Sequence, residues 1–398
     1  MEWRENYAGL RCLTALYFGP DRGLELLTAL TGHLAKGEGE AALDAYTALY
    51  RWLREGEWNG LGDWLGDRLR DAETPYGRRA EQGGAEESLT AAARAECALL
   101  AELAGLPGSA WKQSLSAALP KDFAAAVAAL PEWSGEVPFD FESLTRAYET
   151  DGCGGFARCR AFLWTGGELL PVPDPDRPGP EEMLGYEWQR REVIDNTAAL
   201  LSGKPVNNAL LFGEGGTGKS ATVKSLLAVP GFEALRLIEV EKQGLADLPV
   251  LIRSLAGRRQ KFILFIDDLA FDQDDRTYST LKTILEGGLE KRPVNVAIYA
   301  TSNRRNLVRQ TFSDRAGDEV DAAETVAEKT SLAERFGLRI PYLTLNKAEY
   351  LDMVDRMADL HGIGLDREEL HKKAVQWERL HHGCTPRTAK QFIADLKL

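Results

Sequence analysis

The hydrophobic pattern of the chain changes character once, near residue 180. Residues 1–130 read as a succession of amphipathic helices rich in Ala and Leu. In AALDAYTALYRWLRE (41–55), Leu43, Tyr46, Leu49, Tyr50 and Leu53 fall on one stripe, the period of a helix with one face in a core. ESLTAAARAECALLAELAG (87–105) repeats the pattern, with Gly105 as its candidate C-cap. Seven of the nine tryptophans lie before residue 165. Trp is bulky and mostly buried wherever it occurs, so these read as packing of a helical domain rather than a partner-binding face. FARCRAFLW (156–164), then Thr-Gly-Gly, then ELLPV (168–172) reads as a short hairpin. PVPDPDRPGP (171–180) sustains neither helix nor sheet and reads as an interdomain linker.

Beyond the linker, apolar runs alternate with helical patterns, the signature of a parallel α/β sheet. NALLF (208–212), LRLIEV (235–240), KFILFI (261–266), VNVAIYA (294–300) and LRIPYLTL (338–345) are the strand candidates. Residues 347–397 are helical throughout. The expected architecture is α/β: a mainly helical N-terminal domain (1–135), then a hairpin and Pro-rich linker (136–182). An α/β nucleotide-binding domain with a five-stranded parallel sheet (183–345) and a C-terminal helical lid (346–398) complete it.

Length and composition fit this division. A chain of 398 residues is too long for one ordinary core, and 44% hydrophobic with 27% charged residues is globular. The net charge of −13 is uneven: residues 1–180 hold 17 Lys+Arg against 28 Asp+Glu, leaving 31 against 33 for the remainder. The acidic N-terminal half is a poor nucleic-acid surface, whereas the nearly neutral C-terminal half has room for a local basic face. Five scattered cysteines fit no zinc spacing and read as reduced thiols. The start MEWRENYAGL lacks a basic, then apolar, leader pattern, and no apolar run approaches the roughly 18 residues that span a bilayer. A cytoplasmic location away from membranes is expected.

The chemistry sits at the strand ends. GEGGTGKS, Gly213 to Ser220, matches GxxxxGK[ST] and lies between an apolar strand and a helical segment. Backbone N–H groups of Gly213, Glu214, Gly215, Gly216, Thr217 and Gly218 can turn inward around phosphate oxygens, with Lys219, Ser220 and Ala221 opening the helix. Lys219 would reach the β- and γ-phosphates of ATP, and Ser220 would offer its hydroxyl to Mg²⁺. FILFIDDLAF (262–271) ends an apolar strand in two carboxylates. Asp267 fits the acid on the metal side, and Asp268 would orient or deprotonate the attacking water. In YATSNRR (299–305), Asn303 is placed to touch the γ-phosphate or the water. SLAERFGLRI (331–340) puts Arg335 at the end of a short helix, from which it can reach a neighbouring subunit's γ-phosphate. In GCTPRTAKQFIADL (383–396), Thr385 is the N-cap, Pro386 the first turn, and Arg387 can reach back across the cleft.

In this order the motifs resemble those of the AAA+ ATPases: Walker A, Walker B, sensor 1, arginine finger, sensor 2. GYEWQRREVIDNTAALLSGKPVNNALLFGEGGTGKS (185–220), FIDDLAF, ATSNRRNL (300–307) and EKTSLAERFGL (328–338) resemble in particular the bacterial AAA+ group known as domain-of-unknown-function family 815. The resemblance covers about residues 138–398. It implies an AAA+ P-loop fold, ATP and Mg²⁺ as ligands, and a homo-oligomer joined by a trans arginine finger at Arg335. It also implies that Leu184, Gly185 and Tyr186 help enclose adenine. One departure matters: most AAA+ enzymes end the Walker B strand in Asp-Glu, and this chain has Asp267-Asp268. A carboxylate one methylene shorter predicts slow, switch-like hydrolysis.

Two further readings stand beside an ATP-driven remodeller of a protein client. A DNA-associated initiator- or loader-type ATPase would use Arg304, Arg305 and Arg309, with Arg258, Arg259 and Lys261, as a phosphate-binding face. A non-hydrolysing protein would use ATP only to order its fold. The acidic run GDEVDAAETVAEK (317–329) reads as a solvated loop.

Overall fold

The computed structural model describes residues 3–179, 182–271, 276–286, 292–303, 307, 332–381 and 383–397. The chain divides into two compact units, Met1–Arg158 and Cys159–Leu398.

The first unit is helical: α1 (Trp3–Arg11), α2 (Arg22–Lys36), α3 (Gly39–Glu55), α4 (Leu61–Asp71), α5 (Pro75–Ala80), α6 (Glu87–Gly105), α7 (Gly108–Ala118), α8 (Ala124–Ala128), α9 (Phe141–Asp151) and α10 (Gly155–Arg158). The stripe on α3 buries Tyr46, Leu49 and Leu53, and the core takes in Trp64, Trp111 and Trp133. Trp52 packs edge-on against Trp64 with centroids 5.3 Å apart. The tryptophans are therefore the body of this core, each able to remove roughly 150–250 Å² of surface from water. Glu96 on α6 ties down the turn after α1 by accepting from the amides of Thr14, Ala15 and Leu16 and from the Thr14 hydroxyl. Gly105 is the last residue of α6 rather than its cap; Leu106, in extended backbone, ends the helix.

The expected connector 136–182 is divided between the units. Phe141, Leu144 and Tyr148 of α9 are buried in the helical core, and the Tyr148 hydroxyl donates to Leu69 O. Residues 155–158 form one helical turn, tied to α4 by Arg158 Nη1–Asp71 Oδ2 at 2.6 Å, so the strand predicted from 156 begins only at Ala161. That strand joins the sheet of the second unit.

The second unit contains β1 (Ala161–Thr165), β2 (Glu168–Pro171), α11 (Glu187–Leu201), β3 (Ala209–Gly213), α12 (Lys219–Ser225), β4 (Leu235–Val240), α13 (Leu248–Leu255), β5 (Lys261–Ile266), α14 (Arg276–Glu286), β6 (Val296–Ser302) and β7 (Leu338–Tyr342). The sheet order is β2-β1-β4-β5-β6-β3-β7. All pairs are parallel except β1 with β2. The sheet thus has seven strands rather than the five expected. The hairpin does not stand apart: Ala161–Trp164 pairs with Leu237–Val240 and extends the parallel core at the β4 edge. Strands β5 and β6 are buried along almost their whole length, which is why they read as unbroken apolar runs.

Three helices follow: α15 (Lys347–Leu360), α16 (Arg367–Leu380) and α17 (Pro386–Asp395). They enclose their own small core around Tyr350, Met353, Val354, Leu370, Phe392 and Ile393. Asn346 caps α15 through a capping box with Glu349, and Thr385 caps α17 by accepting from the Thr388 amide.

Candidate functional site

Strand order determines where the motifs meet. β3, β6 and β5 are neighbours, with Leu211 opposite Thr301 and Ile266 opposite Ala300. Their carboxyl ends therefore emerge side by side, carrying Gly213, Asn303 and Asp267 onto one edge of the sheet, where open α/β sheets hold ligands. A cavity of about 580 Å³ opens there.

The loop after β3 curls tightly because its glycines take backbone conformations closed to other residues. Gly213 has φ 145°, and a Cβ on it would stand 2.0 Å from Tyr342 O. Gly216 has φ 81° and lies under α17, where the Arg387 amide donates to its carbonyl at 3.2 Å. Lys219 folds back over this loop, its Nζ donating to Glu214 O at 2.6 Å, Gly213 O at 2.9 Å and Asn303 Oδ1 at 3.1 Å. Burial pushes the Lys219 ammonium below its ordinary value, opposed by the charges of Asp268 and Asp267.

The two carboxylates are held differently. Asp267 Oδ1 accepts from Ser220 Oγ at 2.6 Å and from Thr301 Oγ1 at 2.5 Å. Ser220 and Asp267 thus present an all-oxygen pair of the kind that suits Mg²⁺. Asp268 turns out of the strand with φ 48°, a left-handed conformation that Asp tolerates better than most residues. Its Oδ1 accepts from Asn303 Nδ2 at 2.8 Å.

The other end of the cavity is less polar. Gly185 (φ 72°) and Tyr186 (φ 55°) turn the chain into α11. Tyr186 stacks on Tyr342, centroids 4.9 Å apart, and donates to Leu343 O at 2.5 Å. Leu184 and Met357 complete this wall beside Arg190, whose guanidinium donates to Gly185 O and is lowered from its ordinary value by burial. Burial also pushes the Tyr342 phenol up to about 12.

Of the residues singled out in the sequence, Gly185, Tyr186, Gly215, Gly216, Thr217, Gly218, Lys219, Ser220, Ala221, Asp267, Asp268, Asn303 and Arg387 line the cavity. Gly213 and Glu214 stand behind it and give their carbonyls to Lys219. Arg335 does not line it; its Nη2 pairs with Glu286 Oε1 at 2.6 Å, both side chains more than a third exposed. Arg258 is buried and cannot share an exposed basic face with Arg259 and Lys261. Arg304, Arg305, Arg309 and the acidic run 317–329 lie outside the described residues.

Thr301, Arg190, Tyr342 and Lys390 are among the lining residues that escaped the sequence reading. Thr301 had a local signal, since it lies on the strand two residues before Asn303. Arg190 had a weaker one, four residues after Tyr186 on α11. Tyr342 and Lys390 come from distant segments and had none.

Comparison with known proteins is consistent in direction and distant in degree. The sequence model described as "Protein of unknown function (DUF815)" matches residues 157–397. The Holliday junction branch migration complex subunit RuvB of Staphylococcus aureus (strain Newman) is 26% identical over 208 residues, covering 50% of this chain and 55% of that protein. The protein of the same name from strain N315 gives the same figures. The chain thus spans about half the length of these curated relatives. Among solved structures, the Thermotoga maritima RuvB Holliday junction branch migration motor is 18% identical with a TM-score of 0.37, covering 55% of this chain and 64% of that one. A mutant of the Thermotoga maritima protein gives a TM-score of 0.39 over the same shares.

Proposed function

The chain belongs to the DUF815 family, and from that membership and the geometry of the cavity we propose that it is an AAA+ ATPase. It would couple Mg-ATP binding and slow hydrolysis to the assembly or remodelling of a macromolecular client. The observation that carries this reading is a single connected set of groups in the cavity: Lys219 bonded to Asn303, Asn303 to Asp268, the Asp268 amide to Asp267, and Asp267 to Ser220.

Each residue has a separate task. The amides of 215–218 and the Lys219 ammonium bind the phosphates. Ser220 and Asp267 would hold Mg²⁺, which neutralises charge on the phosphate oxygens when bound. Asp268 orients or deprotonates the attacking water, and Asn303 links that carboxylate to the phosphate-binding lysine. Arg387, on a helix whose first amide already bonds to the loop at Gly216, couples the lid to the phosphates. Gly185 and Tyr186 enclose the base.

Arg335 acts in trans. Outside its own chain's cavity and partly exposed, it fits a role at a neighbouring subunit's γ-phosphate, with a homo-oligomer as the consequence. The short Asp268 side chain supports slow turnover; a rate above about 10 s⁻¹, the median for enzymes, contradicts that part.

Similarity to relatives named as Holliday junction branch migration subunits favours a second reading, a DNA-associated ATPase. The acidity of residues 1–180 and the burial of Arg258 weigh against it. Retention on DNA that weakens steeply with salt would support it.

The test of the primary reading is calorimetric titration with ATP, with and without Mg²⁺, on the wild type and Lys219→Ala. The proposal expects saturable binding strengthened by Mg²⁺ and lost in the variant. A wild-type protein that binds no nucleotide contradicts it. Binding without hydrolysis leaves an ATP-ordered interaction protein.

A further inference from the structure

We propose that Thr301 is a positioning residue that sets the two carboxylates of this site relative to one another through its hydroxyl; the inference rests on the ATPase reading above. Thr301 is 1% exposed and lies on β6 beside the exit of β5. Its Oγ1 is 2.9 Å from the Asp268 amide and 2.5 Å from Asp267 Oδ1. An amide can only donate, so Oγ1 accepts there. A hydroxyl has one proton, and it therefore goes to Asp267. One oxygen atom thus fixes the side chain of one acid and the backbone of the next.

Both ends of that bridge matter chemically. Asp267 Oδ1 also receives Ser220 Oγ at 2.6 Å and the Asp268 amide at 3.1 Å. Three donors on a single oxygen fix the rotation of the carboxylate. The Asp268 amide is anchored where the backbone enters the left-handed region, φ 48°. Strained conformations of this kind persist only where surrounding bonds over-determine them. Without the hydroxyl the turn can relax and carry the Asp268 carboxylate away from Asn303.

The hydroxyl is separable from the fold. The Leu269 amide donates to Thr301 O at 2.7 Å, and Ser302 Oγ donates to Leu269 O at 2.8 Å. These bonds stitch the turn to β6 without using Oγ1. Thr301→Val keeps the shape and the backbone pairing and deletes one oxygen.

The experiment compares the wild type, Thr301→Val and Thr301→Ser in the full chain. It reads kcat and KM for ATP, together with binding of a fluorescent ATP analogue as a function of Mg²⁺. Thr301→Val is expected to lower kcat at least about tenfold with KM changed less than about threefold, a loss confined to the chemical step. Its Mg²⁺ requirement for half-maximal analogue binding should rise several-fold, with binding in the absence of Mg²⁺ unchanged. Thr301→Ser, which restores the oxygen, should return both readouts to near wild type. Wild-type kcat and Mg²⁺ dependence in Thr301→Val, or failure of Thr301→Ser to rescue, overturns the proposal. If Thr301→Val does not fold, Thr301→Ala read the same way decides. A wild type that binds Mg-ATP without turning it over leaves the Mg²⁺ readout to decide alone. A wild type that binds no nucleotide refutes the ATPase reading, and this inference falls with it.

Discussion

Lys219 Nζ donates to Asn303 Oδ1 at 3.1 Å, so the lysine of the glycine-rich loop and the residue that follows β6 form one unit. The same Asn303 amide donates from Nδ2 to Asp268 Oδ1 at 2.8 Å. In the proposed ATPase a change at the phosphate would therefore have a direct route to the carboxylate assigned to the water. Neither end of this chain of contacts is adjacent in sequence to the other.

Asn303→Ala breaks both bonds and leaves those from Lys219 to Gly213 O and Glu214 O in place. Turnover should fall by about ten- to a hundredfold, with ATP affinity within a few-fold of wild type. Steady-state kinetics with direct binding measurements check it; equal losses in affinity and turnover contradict it.

Gly213 faces a different constraint. With φ 145° and Tyr342 O at 2.0 Å from the position of a Cβ, Gly213→Ala must move backbone against backbone. The cost should be at least about 2 kcal/mol. For a unit of this size that lowers the melting midpoint by roughly 4–8 °C, together with loss of ATP binding. A variant that melts and binds as the wild type does contradicts the loop geometry.

Tyr342 supplies a pH dependence. Its buried phenol donates to Thr222 Oγ1 at 2.9 Å and is pushed up to about 12 from an ordinary value of 10.0. The fold favours the protonated form. The stability it contributes is fully present below pH 10 and is lost as pH rises through about 12, a change of roughly 2–3 kcal/mol. Urea unfolding between pH 9 and 12 should therefore fall less steeply for Tyr342→Phe than for wild type. Parallel profiles contradict the assignment.

The strands LRLIEV and KFILFI were legible to the residue because burial on both faces leaves no ambiguity of period. The glycine-rich loop was legible because its residues are contiguous. That the hairpin of β1 and β2 would join the sheet was not. The segment Ala161–Trp164 gives no local sign that it will pair with Leu237–Val240, and sheet width is decided by that long-range register. The predicted strand 338–345 is shorter in fact, ending at Tyr342, where Leu343 is 68% exposed and its carbonyl turns to Tyr186. The part of the cavity beside Tyr186 was only partly legible, because Tyr342, Met357 and Lys390 reach the cavity from segments more than 150 residues beyond Tyr186. Thr301 was overlooked, despite its spacing from Asn303, because its role is a shared hydroxyl oxygen, visible only once Asp267 and the Asp268 amide stand beside it.

The central claim is an ATPase whose active site is completed by a second copy of the chain. It is tested most directly by ATP hydrolysis per subunit as protein concentration rises, with Arg335→Ala for comparison. The account predicts a per-subunit rate that climbs with concentration in the wild type and collapses in Arg335→Ala, while ATP affinity is unchanged. A rate independent of concentration and of Arg335 would contradict it.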